Sequence, residues 1–175
     1  AGLRGVKQLR WAAEHMTGQT ASPFEVQTSM LVSLPRNEGG MGINIANNVR
    51  IPLSDAARSL YDKTCCYADI LIESATNSMG VILECQGRSA HDSEAASLSD
   101  AERTTALTSM SYDVIQITYE QIKDTKSFNN IAELIHKKAG LPYIPKTDQE
   151  RTTEDALRRE LLVNWDELFS VEPAG

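Results

Sequence analysis

Three cysteines in 175 residues, Cys65, Cys66 and Cys85, are too few to build a disulfide scaffold. An odd number cannot all pair, and the adjacent Cys65 and Cys66 lack the two-residue gap of a common zinc-binding pair. They read as buried thiols in a reducing compartment. The chain also lacks any apolar run near the roughly 18 to 20 residues that span a bilayer, and its first residues lack the charged and apolar regions of a secretory signal. A soluble, cytoplasmic protein with no membrane partner is expected. Basic charge is short as well: 17 Lys and Arg stand against 24 Asp and Glu, a formal net charge of −7. That argues against the broad phosphate-binding surface behind non-specific DNA affinity, while leaving room for a small basic cleft and for carboxylates that bind metal.

Other absences narrow the chemistry. Glu38-Gly-Gly-Met-Gly42 has no Lys-Ser/Thr ending and reads as a flexible connector, not a phosphate loop. No Ser has a His and an acid nearby in a hydrolase elbow pattern. There is no internal repeat or low-complexity segment. His15 and His136 sit in polar helical contexts with no second ligand at metal spacing and read as surface residues. The chain begins at Ala1, so it reads as processed or as part of a longer protein.

What is present is an alternation of helical and strand patterns over a length that suits one domain. Val6, Leu9, Ala13 and Met16 recur at helical spacing, and Arg4, Lys7, Arg10 and Trp11 form a modest basic group on the same segment. Ser22 caps and Pro23 opens a second helix that Pro35 ends. Asn47-Asn48, between apolar segments 43–46 and 49–53, predicts a hairpin, and 54–61 suits a short helix. Strands are expected over 67–73, 79–86 and 112–118, and helices over 93–110 and 127–139, the last stopped by Gly140 and Pro142. Residues 1–140 form the core domain, 141–152 a linker and 153–170 an amphipathic helix. Its stripe of Leu157, Leu161, Leu162, Trp165, Leu168 and Phe169 packs on the core, on a missing N-terminal domain or across a homodimer.

The acids on the central strands carry the chemistry. Side chains alternate along a strand, so Glu84 and Gln86 share one face, and Tyr67, Asp69, Leu71 and Glu73 share a face of the preceding strand. In a hairpin Asp69 and Glu84 converge at one end. Two carboxylates about 4 Å apart repel by about 4 kcal/mol at an effective dielectric near 20, and a divalent cation reverses that. The same pattern fits an edge hairpin with both acids facing solvent.

The segments Tyr67-Ala-Asp-Ile-Leu-Ile, Val81-Ile-Leu-Glu-Cys-Gln-Gly-Arg-Ser-Ala-His91, Glu102-Arg103 with Ala106-Leu107, and Ser111-Tyr-Asp-Val-Ile-Gln-Ile-Thr-Tyr119 occur in that order. Together, over roughly residues 22–140, they resemble the PD-(D/E)XK nuclease superfamily, in the small bacterial branch similar to very-short-patch repair endonucleases. The resemblance implies an α/β, restriction-endonuclease-like core, a mixed central sheet flanked by helices in the order helix, three-strand meander, helix, strand. An extra helix follows at the C-terminus. It implies Asp69 and Glu84 as metal-binding acids, the Cys85 carbonyl as a further ligand, and Gln86 at the position that usually holds Lys. His91 and Arg103 match the family's His and helical Arg, and Glu25 matches its additional acid. Each of these three also has a plain structural reading: His91 as a loop residue, Arg103 as an acid's partner, and Glu25 closing a capping box with Ser22. The implied activity is hydrolysis of nucleic acid, DNA ahead of RNA, with magnesium or manganese, in defence, repair or a toxin–antitoxin system. The alternative is a nuclease fold that binds nucleic acid or protein without cutting.

Overall fold

The computed structural model describes residues 20–86 and 94–162. The expected N-terminal helix lies outside them, with Arg4, Lys7, Arg10, Trp11 and His15, as do His91, Trp165, Leu168 and Phe169. Helix α1, Pro23–Ser33, starts where the sequence predicts: the Ser22 hydroxyl accepts the Glu25 N–H at 3.2 Å, and Pro23 occupies the first turn, where no N–H is needed. It is enclosed on several sides, burying Gln27, Thr28 and Ser29 as well as Phe24, Leu31 and Val32.

The glycine-rich segment after α1 is not the expected flexible connector. A short 3-10 turn, Arg36–Glu38, sends the chain back along α1, where Met41 N–H bonds the Leu31 carbonyl at 3.0 Å and Ile43 N–H the Val32 carbonyl at 3.0 Å. Met41 is buried. A Cβ on Gly40 would lie 2.0 Å from the Leu34 carbonyl oxygen, so the close backbone approach requires glycine there.

Strand β1, Ile45–Pro52, replaces the expected hairpin over 43–53. Asn48 does adopt positive φ, at 50°, but as a kink inside one strand. Short helix α2, Asp55–Arg58, leads to β2, Cys65–Ile72, which pairs antiparallel with β1 from Ile45↔Ile72 to Pro52↔Cys65. Strand β3, Val81–Gln86, pairs antiparallel with β2, helix α3 spans Glu94–Ser109, and β4, Asp113–Thr118, pairs parallel with β3. The sheet is therefore mixed, in the order β1-β2-β3-β4. Helix α4, Tyr119–Lys123, follows directly through a Thr118/Gln121 capping box, and α5 spans Thr125–Ala139, stopped by Gly140 at φ 66°.

Helices cover both faces, as burial of a sheet with a parallel pair requires. On one face Ile70, Ile72, Val81, Leu83, Ile115 and Ile117 pack with Phe24 and Leu31 of α1 and with Phe128 and Ile135 of α5. On the other, Ile51, Cys66, Ala68 and Ile82 pack with Ala106 and Leu107 of α3. Ala68 and Ile70 differ by two positions yet join opposite clusters, so the alternation slips at Asp69, opposite the kinked Asn48. Tyr67 and Leu71 consequently do not share the predicted face: Tyr67 is exposed, while Leu71 packs on the α3 side.

The expected linker over 141–152 is shorter than predicted. Helix α6, Asp148–Leu161, begins within it, through a capping box of Thr147 and Glu150. Its stripe residues Leu157, Leu161 and Leu162 pack on the core. Arg36 grips Glu150 with two nitrogens, at 2.8 and 2.9 Å, and holds that carboxyl down at about 2. Arg158 donates to the carbonyls of Ile122 and Lys123, both at 2.7 Å, with its guanidinium 4.9 Å over the Phe128 ring. His136, expected on the surface, is buried instead, its Nδ1 2.7 Å from the Ala132 carbonyl. Gly40→Ala should destabilise the protein by about 2 kcal/mol or more, because backbone rather than a mobile side chain blocks the new methyl. A urea midpoint unchanged by the substitution would disprove this packing of the turn.

Candidate active site where two strands part

Strands β2 and β3 make three pairs, Ile72↔Val81, Leu71↔Ile82 and Ile70↔Leu83. The next pair in register is Asp69 with Glu84, and there the ladder stops. In place of a ladder bond the Cys85 N–H donates to Asp69 Oδ2 at 2.7 Å. The N–H and C=O of one strand residue point to the same side, so the Cys85 carbonyl also faces this gap. The two acids expected to converge are thus brought together at the parting of the strands.

Glu84 faces α3 and is 3% exposed. Arg103 Nη2 stands 2.6 Å from its Oε2, but off the line of a hydrogen bond, and neither Glu84 oxygen accepts one among the described residues. Burial pushes the Glu84 carboxyl up to about 7, with Arg103 pulling down and Asp69, Asp100 and Glu25 pushing further up. Asp69 is also raised, chiefly by burial, against the lowering effect of the Cys85 N–H. Burial carries the Cys85 thiol up to about 12, so it stays protonated near neutral pH. All three cysteines are free; Cys66 is buried, whereas Cys65 and Cys85 are only half-buried.

The remaining candidates divide. Arg103 reaches the site from α3, with Asp100 one turn earlier 3.7 Å from the same nitrogen. Gln86 lies beyond Glu84 on the same strand and is exposed. Glu25 is closed as a cap: its carboxylate accepts from the Ser22 hydroxyl at 2.9 Å and the Ala21 N–H at 2.6 Å. It acts on Asp69 and Glu84 as a nearby charge. Two residues escaped the sequence reading. Asp100 was signalled only by its three-residue spacing from Arg103, and Gln116, opposite Glu84 on β4, is the polar residue among Val114, Ile115 and Ile117 in the middle of that strand.

Among the described residues no group of three or more His, Cys, Asp or Glu gathers to hold a metal ion. Two carboxylates and a carbonyl still suit magnesium, which keeps several waters and takes one or two carboxylates. Buried Glu84, whose oxygens accept no hydrogen bond among the described residues and face Arg103 alone at ion-pair distance there, fits such a cation. A cavity of about 640 Å³ lies elsewhere, lined by Lys123, Thr125 and Arg158 among others, and includes none of these acids. No family model, curated protein or solved structure matches the chain.

The raised Glu84 carboxyl has a consequence for stability. Between about pH 4.5, its ordinary value, and about 7, the folded state holds a proton that the unfolded state releases. Stability from this group therefore falls as pH rises through that window. Glu84→Gln should stabilise the metal-free protein by on the order of 1–3 kcal/mol at pH 8, and by little at pH 5. Thermal melts at the two pH values test this, and equal shifts at both would sink it.

Proposed function

We propose that this chain is a magnesium- or manganese-dependent phosphodiesterase domain with a restriction-endonuclease-like core, acting on nucleic acid and on DNA in the first place. The observation that carries the reading is the Asp69–Glu84 pair at the parting of β2 and β3, with Glu84 buried and its oxygens accepting no hydrogen bond among the described residues. The order of helix, meander, helix and parallel strand agrees with the resemblance to the PD-(D/E)XK superfamily. A bound divalent cation supplies phosphoryl polarisation and a water of lowered pKa. Asp69, Glu84 and the Cys85 carbonyl are the oxygens that would hold it. Because the Glu84 carboxyl sits near 7, it must lose its proton on binding, so affinity rises with pH through that value.

In this reading Arg103, 2.6 Å from Glu84, is the cation among the described residues that would face the developing charge. Gln86 orients water but brings no charge. No helix among the described residues is long and apolar enough to cross a membrane, and the reading puts the activity in the cytoplasm, in defence, repair or a toxin–antitoxin system. The exposed, neutral Gln86 and the Arg103–Glu84 contact favour a second reading, a nuclease fold that binds nucleic acid or a protein without cutting.

Cleavage of single- and double-stranded DNA with manganese separates the two readings. Asp69→Ala and Glu84→Ala should each lower the rate by about 1,000-fold. Cleavage indifferent to both substitutions, or manganese binding by calorimetry that ignores them, would overturn the nuclease reading. Gln86→Lys should raise the rate by about 10-fold or more, since it restores a positive charge beside the phosphate. A slower Gln86→Lys enzyme would show that the amide itself is the working group.

A further inference from the structure

Helix α5 buries Phe128, Ile131, Ala132, Ile135 and Ala139 and turns the opposite stripe outward. On that outer stripe lies an apolar group. Leu134, 39% exposed, and Tyr143, 40% exposed, line with Leu141 a groove of about 460 Å³ whose other walls are Asn130, Glu133 and Lys137. Ile144, 61% exposed, follows directly. The segment carrying Tyr143 and Ile144 is held in place: Arg36 donates to the carbonyls of Ile144 and Pro145 at 2.8 and 3.1 Å, and the Tyr143 ring stands edge-on to His136, 5.3 Å between centroids. A surface presented this rigidly loses little conformational entropy on docking.

We propose that this groove is the interface of a homodimer in which two copies of α5 meet antiparallel about a two-fold axis beside Leu134. The charges on its walls carry the choice of occupant. Glu133 and Lys137 are one helical turn apart, and among the described residues neither is ion-paired. In an antiparallel pair Glu133 of each copy faces Lys137 of the other, so the contact is made twice and is self-complementary. Asn130 of one copy then lies against the Leu141–Tyr143 segment of the other. A phosphate backbone would be repelled by Glu133, and a partner of one charge sign would satisfy only half of the wall.

One helix face and a short segment fall below the roughly 800 Å² per partner of a stable pair, so the dissociation constant should be on the order of 10–100 µM. The inference stands apart from the nuclease reading and is tested without activity. Sedimentation of the whole chain up to about 0.5 mM should show a monomer–dimer equilibrium. Glu133→Lys and Lys137→Glu, each checked for folding by circular dichroism, should each weaken self-association by about 10-fold or more through two like-charge contacts. Mixed one to one, the two variants should associate as well as the parent, because every crossed contact then pairs opposite charges. Leu134→Ser should weaken the dimer independently of charge. A parent chain that stays monomeric throughout the range, a mixture no better associated than either variant alone, or a dimer untouched by Leu134→Ser would each overturn the proposal.

Discussion

The backbone N–H of Cys85 has no ladder partner on β2, because β2 and β3 have begun to part, and the Asp69 carboxylate takes its place. The features around the site follow from that substitution. A parting pair of strands needs something to satisfy its buried N–H groups, and a carboxylate does so at the cost of bringing charge into a half-buried position. Once Asp69 is fixed there, Glu84 lies directly across from it, and its own burial makes the pair a strained electrostatic unit. Arg103 answers only one part of it, through a single nitrogen from a neighbouring helix. Such a site lowers stability, and the apolar clusters on both faces of the sheet must carry it.

The clamp on α6 shows the opposite use of charge. Arg36 engages Glu150 and two backbone carbonyls, and Arg158 engages two carbonyls and the Thr125 hydroxyl while lying over Phe128. Planar guanidinium groups suit such work because several donors are fixed by one set of torsions. Lys146 and Glu154 add a buried ion pair, with the Lys146 Nζ 5.8 Å from the Phe128 ring centroid, and burial lowers the lysine to about 8. Both regions hold buried charge against an opposite charge; what sets the acid site apart is two carboxyls raised side by side, Asp69 and Glu84, with Arg103 as the cation at ion-pair distance among the described residues.

Much of this was legible in the sequence where a local rule and the tertiary fold agree. Ser22-Pro23 marked the start of α1, Gly140 the end of α5, and strand alternation put Glu84 and Gln86 on one face. The readings failed where distant contacts decide. Asn47-Asn48 has hairpin chemistry, but apolar residues on both sides of it pair with one strand, so the turn signal survives only as a kink. The same kink shifts the alternation at Asp69, which no period-two count across 67–73 detects. Glu38–Gly42 looked mobile from its glycines, whereas Gly40 is there for a backbone approach of another segment. Helix α6 opens on polar residues with no apolar period, and only Thr147-x-x-Glu150 announced it.

The net charge of −7 constrains how a nucleic acid would reach the proposed site. A phosphate strand approaching Glu84 meets Asp69, Asp100 and Glu25 in the same neighbourhood, with Arg103 as the opposing charge that acts on both central acids. Among the described residues, acids outnumber cations at the site, so an added cation would ease the approach of a phosphate strand. A divalent ion held by Asp69 and Glu84 would therefore serve first binding and then chemistry, and substrate affinity would follow metal affinity and its dependence on pH. If the resemblance holds and Gln86 stands where a lysine usually does, that ordering is sharper, because Gln86 brings no fixed charge to stand in for the ion.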